Sequence, residues 1–415
     1  MGCTASSSKP PPGPVSLKHF DVQRVVGKGG FGKVQAVIKK GDPEQKWLAM
    51  KVMDKEEILK RDRVAEVFRE RNFLVMLRHE RLCNSYYAFQ DAKRLYLVMD
   101  LALGGDMRYQ LEHTADKRPF SESRVRWYTA QLAVALDYIH SKRVLHRDIK
   151  PDNILMDDKG WVKLSDFGIS GILDKDGWCA AKSGTKGYAA PELYTPTHRH
   201  GAPSDYFSLA VTVHEFLTMS RPFSESDMRQ NAARMNEAPP GEPAPVMRLK
   251  VESGYDAKKM PVAVSPACVA FLKQMLSLRE SERPTFEQMK GHAWFAAQEA
   301  PNRLDALSWE DIVAGRGKAE FVPDITRMNA NPDADIQEFF QGKEEVARLR
   351  VPSPEEQARF AAYDFDYTKD EHVLLQSADF DFKQNLTVFD ITKNPDAARD
   401  LDAQESLAPT SQGGG

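Results

Sequence analysis

Cysteine is scarce in this chain of 415 residues. The four present, Cys3, Cys83, Cys179 and Cys268, lie far apart and match neither metal-ligand nor disulfide-framework spacing, so a reducing compartment is expected and no covalent staple is. Long apolar runs are missing too. No stretch approaches the ~18 residues of a membrane span, and no signal-type hydrophobic region is present. Excess charge is small, −3 overall, which removes the usual electrostatic reason to expect nucleic acid. The balance conceals an asymmetry. Residues 301–415 carry 12 basic and 23 acidic side chains, so the remainder of the chain is net positive. A basic body with an acidic tail suits a body that handles phosphates.

What is present begins at the N-terminus. "MGCTAS" fits M-G-x-x-x-[ST], in which Gly2 accepts myristate once Met1 is removed and Ser6 holds the favoured position. Cys3, beside it, is a candidate for palmitoylation. One acyl chain binds membranes marginally and two bind stably. Lys9 and Lys18 are the few basic residues nearby, so Cys3 would supply the second signal. The expected location is cytoplasmic, at the membrane surface. Residues 1–16 are otherwise rich in Ser, Pro and Gly and read as a disordered leader, taken to residue 19.

From there the pattern changes. "FDVQRVVG", "GKVQAVIK" and "WLAMKVMD" read as strands. "KEEILKRDRVAEVFRERNFLVML" reads as one charged helix. "YYAF" and "LYLVMDL" return to strand. After a hinge near Met99 to Gly105 the chain turns helical, as in "SRVRWYTAQLAVALDYIHSK", where Val125, Tyr128, Leu132, Leu136 and Ile139 recur at helical intervals. "EAPPGEPAP" (237–245) reads as a surface loop. The expected class is α+β, with a small β-rich part followed by a large α-rich part.

"VVGKGGFGKVQAV" fits two phosphate-binding patterns. As a P-loop it would need a hydroxyl for Mg²⁺ after Lys33, and it would run into a helix. Val34 has no oxygen, and "VQAVI" reads as strand. As G-x-G-x-x-G-x-V it supplies Gly27, Gly29, Gly32 and Val34, with Lys28, Gly30 and Phe31 completing a loop that folds over nucleotide phosphates. Downstream come "LAMK" with Lys51, a helix with Glu70, "HRDIKPDN" (146–153), "DFG" (166–168), "GTKGYAAPE" (184–192) and "SERP" (281–284). In this order and spacing, the set resembles the eukaryotic protein kinases over residues 20–295.

The resemblance implies a bilobal kinase fold, N-lobe 20–99 and C-lobe 104–295, that uses ATP and Mg²⁺. It implies Lys51 on the α- and β-phosphates with Glu70 as its ion-pair partner. Asp148 would accept the proton of the substrate hydroxyl, and Lys150 would neutralise the transferring group. Asn153 and Asp166 would ligate Mg²⁺. Val34, Ala49 and Leu155 would sandwich the adenine, with Met99 as gatekeeper and the backbone of Asp100 and Ala102 at the base edge. Asp106 would face the ribose, or, with Asp152, a basic substrate side chain. Lys150 and Thr185 resemble the Ser/Thr-specific pattern, so the implied partners are proteins with Ser or Thr acceptors. Glu192 and Arg283 would form a buried bracing pair.

"LALGGDM" and "HRDIKPDN" are similar to the AGC group. With the acylatable N-terminus and "FVPDITRMNANPD", they most resemble its YANK family. The tail, 296–415, contains "FAAYDF" (360–365), similar to a hydrophobic motif, which implies that Phe360, Tyr363 and Phe365 would dock in a pocket beside the Glu70 helix. Asp364 stands there in place of a phosphorylated residue. Three departures matter. Ala181 occupies the usual activation-loop phosphorylation position, so Arg147 would lack its phosphate partner, and Ser183 is displaced from that position. Ser85 replaces an apolar spine residue. Phe207 and Ala210 are packing changes. The competing reading is a membrane-recruited pseudokinase or scaffold. Lys51, Glu70, Asp148, Asn153 and Asp166 are all present, which favours the active enzyme.

Overall fold

The computed structural model describes residues 13–113, 118–230, 264–296, 308–325 and 349–367. They fall into two compact units. One, the sheet unit, contains 13–76, 84–101 and 349–367. The other, the helical unit, contains 77–83 and the described residues between 102 and 325.

In the sheet unit, β1 (Phe20–Gly29), β2 (Gly32–Lys39), β3 (Trp47–Asp54), β4 (Ser85–Gln90) and β5 (Arg94–Asp100) form an antiparallel sheet in the order β1-β2-β3-β5-β4. A tail strand, Phe365–Asp366, adds to the free edge of β4, pairing Phe365 with Ala88 and Asp366 with Tyr87. Alternation sorts β3. Leu48, Met50 and Val52 join Phe20, Val37, Tyr87, Phe89, Tyr96 and Val98 in one core, while Ala49 and Lys51 face the other side. Burying each large apolar side chain there contributes roughly 1.5–3 kcal/mol. β1 and β2 meet in a tight turn at Gly30 and Phe31, so the glycine stretch is strand–turn–strand. Gly32 must be glycine, because a Cβ there would lie 2.1 Å from the Val52 carbonyl oxygen.

The expected single helix after β3 is two, α1 (Lys55–Lys60) and α2 (Val64–Met76). The break falls at Asp62, whose φ of 50° is left-handed and cannot continue a right-handed helix. Apolar periodicity runs through both pieces and does not record such a break.

The helical unit is built around α4 (Glu122–Ser141) and α5 (Pro203–Thr218). Ser121 caps α4 by accepting from the Arg124 N–H, satisfying one orphan donor. Every residue of α5 from Ser204 to Thr218 is buried, so this helix is the unit's axis rather than a surface element. α3 (Met107–Glu112) and α6 (Pro266–Met275) lie in the same unit. Short strands carry the loops: β6 (Gly105–Asp106), β8 (Ile154–Met156) and β9 (Val162–Leu164) form one sheet, and β7 (Val144–Leu145) pairs with β10 (Gly171–Ile172). Among the described residues no helix is long and apolar enough to cross a membrane.

Candidate active site

Each unit carries part of the expected chemistry. In the sheet unit, Lys51 Nζ lies 2.7 Å from both carboxylate oxygens of Glu70 on α2. Strand pairing positions the other expected residues. Val34 is opposite Lys51, Ala49 is opposite Met99, and Gly27 is opposite Val34. Lys28 and Gly29 complete β1 beside Lys33 and Gly32. The loop tip is tied down in a way the motif did not reveal: Arg61 donates to the Gly30 carbonyl at 3.0 Å and lies over the Phe31 ring. Asp100 is buried. Its carboxylate accepts from Tyr86 Oη at 2.6 Å and from the Asn84 N–H, and Lys46 is 3.3 Å away. Ser85 is also buried, but its hydroxyl donates to the Leu74 carbonyl, so the departure leaves no stranded polar group.

The helical unit holds a dense polar cluster around Asp148. Lys150 Nζ is 2.7 Å from Asp148 Oδ2 and 2.8 Å from Thr185 Oγ1. The Thr185 hydroxyl donates to Asp148 Oδ1, and Asn153 Nδ2 donates to Oδ2 at 2.8 Å. Burial alone would push the Asp148 carboxyl up, but Lys150 and Thr185 hold it below the ordinary carboxylate range, so it is charged at neutral pH. His146 is fully buried, and desolvation pushes its pKa down. Its Nε2 meets the Ser165 carbonyl at 2.9 Å while Nδ1 accepts from the Asp148 N–H, the pattern of a neutral imidazole.

Asp205 was not singled out in the sequence, yet it anchors this loop. It is fully buried on α5 and accepts from the backbone N–H groups of His146 and Arg147 at 2.9 and 2.8 Å, with His140 Nε2 also at 2.8 Å. Burial would raise its pKa, but His140 and these donors keep it lowered. Arg147 and Asp166 both have left-handed φ, 66° and 64°, conformations that cost energy outside glycine and persist where surrounding contacts over-determine them. Phe167 is buried edge-on against His146 at 4.9 Å. Asp166 is exposed, its carboxylate accepting only a 3.1 Å bond from Gly168 among the hydrogen bonds described. Asn153 and Asp166 therefore offer the hard oxygen donors that Mg²⁺ takes.

Asp106 and Asp152 have partners that the resemblance did not imply. Asp106 caps α3, accepting from the Tyr109 N–H at 2.7 Å. Asp152 faces Arg108, 3.4 Å away, and Arg108 also reaches Glu215 at 2.8 Å and the Tyr188 hydroxyl at 2.7 Å. The acidic pair expected from Asp106 and Asp152 is thus partly met by a cation from this chain. Leu155 sits on β8 opposite Asp106, and Ala102 is half-buried before β6. Glu192 and Arg283 form the buried bidentate pair, at 2.6 and 2.8 Å. Gly2 and Cys3 lie outside the described residues.

The tail packs within the sheet unit. Phe360 and Tyr363 are fully buried, with Tyr363 edge-on to Phe68 of α2, and Arg71 of α2 donates to the Ala362 carbonyl. Lys55 bonds Gln90 and Asp91 and reaches 302 residues along the chain to Gln357 at 2.6 Å. Asp364 accepts from Gln90 at 3.2 Å, and burial raises its pKa.

Comparison with known proteins agrees with this geometry. Residues 20–295 match the protein kinase domain family. Serine/threonine-protein kinase 32C of Mus musculus is 34% identical over 78% of this chain and 62% of its own length. The Homo sapiens 32C protein is 31% identical over 96% of this chain and 76% of its own length, and human 32B is 32% identical over 78% and 73%. This chain thus spans about three-fifths to three-quarters of these relatives. It belongs to the protein kinase family, in the YANK branch of the AGC group of serine/threonine kinases.

Proposed function

We propose that this chain transfers the γ-phosphate of Mg-ATP to Ser and Thr hydroxyls of proteins, anchored at a membrane surface through acyl chains on Gly2 and Cys3. The observation that carries the catalytic part is the Asp148 carboxylate, held charged among Lys150, Thr185 and Asn153. A charged carboxylate so placed accepts the proton of an incoming hydroxyl and orients its oxygen. Lys150, sharing Asp148 and Thr185, brings positive charge to the transferring group. Lys51, oriented by Glu70, does the same for the remaining phosphates, and the glycine stretch offers backbone N–H groups without bulk. Asn153 and Asp166 would hold Mg²⁺, which supplies charge neutralisation to the phosphates when bound.

Protein made in a bacterial host, given Mg-ATP and mixed Ser/Thr peptides, tests the assignment. Transfer in wild type with a loss on the order of 100-fold or more in Asp148→Ala is expected. ATP binding without transfer in wild type would leave a scaffold and overturn it.

A further inference from the structure

Arg147 directly precedes Asp148, and its side chain leaves the catalytic loop for the segment that follows Gly168. Nε donates to the Ile169 carbonyl at 2.7 Å and Nη2 to the Ser170 carbonyl at 2.9 Å. Nη1 donates to Cys179 Sγ at 3.5 Å. Cys179 is buried beside Leu145, Leu173, Ala181 and Ala202. Ala181 carries nothing that could be phosphorylated, so that position supplies no phosphate to Arg147.

Cys179 and His200 are cross-strand partners. Each backbone N–H donates to the other's carbonyl at 2.9 Å, which places their side chains on one face. His200 is fully buried, and its Nδ1 contacts the His198 carbonyl at 2.6 Å. Its Nε2 makes no hydrogen bond of ordinary geometry among the described residues. Across the backbone bridge from this imidazole is a thiol that also receives a hydrogen bond from a guanidinium. A neutral thiol is a weak acceptor for a buried guanidinium, whereas a thiolate gives a charge-assisted bond.

We propose that Cys179 is a positioning residue that works as a thiolate: its proton passes to His200 Nε2, and the sulfur anion fixes Arg147 and, through the backbone, Asp148. The anion that phosphorylation would supply is then built into the sequence. The electrostatics agree in direction. Burial would push the thiol up, but His200, Arg147 and the Ala181 N–H bring it to about 7. His200 is raised despite its burial, by Cys179 and the His198 carbonyl. The charged groups facing the pair are Arg147 and, on the His200 side, Glu280, itself raised by burial. The thiolate is present above pH 7 and is lost as pH falls through that value.

The inference rests on the kinase reading, so its test has an arm that needs no activity. Thiolate absorbance, taken as wild type minus Cys179→Ser across pH, should rise with a midpoint near 7. A midpoint at about 8.5 or above, the ordinary thiol value, would overturn the proposal. In the kinetic arm, Cys179→Val should lower kcat by roughly 10-fold with the KM for ATP little changed, and Cys179→Asp should recover to within about 3-fold of wild type. Valine tolerated as well as cysteine, or aspartate no better than valine, would show that the position only fills space. Absence of transfer in wild type would instead count against the kinase reading and leave the absorbance result standing.

Discussion

Asp205 shows how one buried atom pair fixes a loop. Two backbone donors and His140 converge on its carboxylate, so losing the charge loosens the turn that presents Asp148. Its folded pKa is lowered, so its contribution is present above the ordinary value of about 3.9 and is lost as pH falls through the folded value. Asp205→Asn should therefore flatten the acid limb of the stability–pH curve and lower kcat. Urea midpoints measured from neutral pH downward would show this, and an unchanged acid limb would contradict it. The Glu192–Arg283 pair makes a different prediction. Both side chains are almost fully buried, so Arg283→Leu strands a carboxylate and should cost about 3–5 kcal/mol in denaturant unfolding. A loss below about 1 kcal/mol would mean the pair behaves like an exposed one.

Among the elements, the tail strand and α2 are coupled by side chains rather than by sequence proximity. Tyr363 is buried edge-on to Phe68 of α2, Phe360 is buried beneath Lys55 of α1 with its carbonyl accepting from Gln90 of β4, and Phe365 adds a backbone pair at the sheet edge. Phe360→Ala should cost on the order of 3–5 kcal/mol locally. Because it undocks a strand, it should speed amide exchange at Tyr87 to Phe89 far more than in β3. Unchanged exchange along β4 would show that the strand stays paired without its anchor. The same region marks the limit of periodicity as a guide. A helical repeat spans 55–77, but Asp62 divides it, because a local left-handed turn, closed by the Asp62 N–H on the Leu59 carbonyl and the Arg63 N–H on the Ile58 carbonyl, leaves no mark in an apolar stripe.

For the whole molecule, legibility followed separation along the chain. The glycine turn was readable from its own residues, whereas Asp148 with Lys150 and Asn153 was picked out through a family resemblance carried by a contiguous motif. The bidentate pair of Glu192 and Arg283, far apart in the chain, was likewise readable only through that resemblance. Contacts made by packing of remote segments were not. Nothing near Asp205 marks it as the support of residues 146 and 147, nothing near Arg108 announces Glu215, and nothing near Lys55 points to Gln357. Cys179 and His200 are a cross-strand accident of register until the bridge is seen. The proposed anchoring belongs to this scale as well. One acyl chain binds marginally and two bind stably, so Gly2→Ala should release the full chain from membranes, and Cys3→Ser should leave weak, reversible binding. Fractionation of cells expressing each variant checks this, and a Gly2→Ala protein still fully on membranes would point to another anchor.

The central claim is that Asp148, held charged by Lys150, Thr185 and Asn153, performs the proton-accepting part of phosphoryl transfer. Its most direct test measures ATP binding and single-turnover transfer to a Ser/Thr peptide side by side, in wild type and Asp148→Asn. The account predicts ATP affinity within about 3-fold between the two, and a transfer rate lower by on the order of 100-fold or more in the variant. Equal transfer rates in both proteins would contradict it.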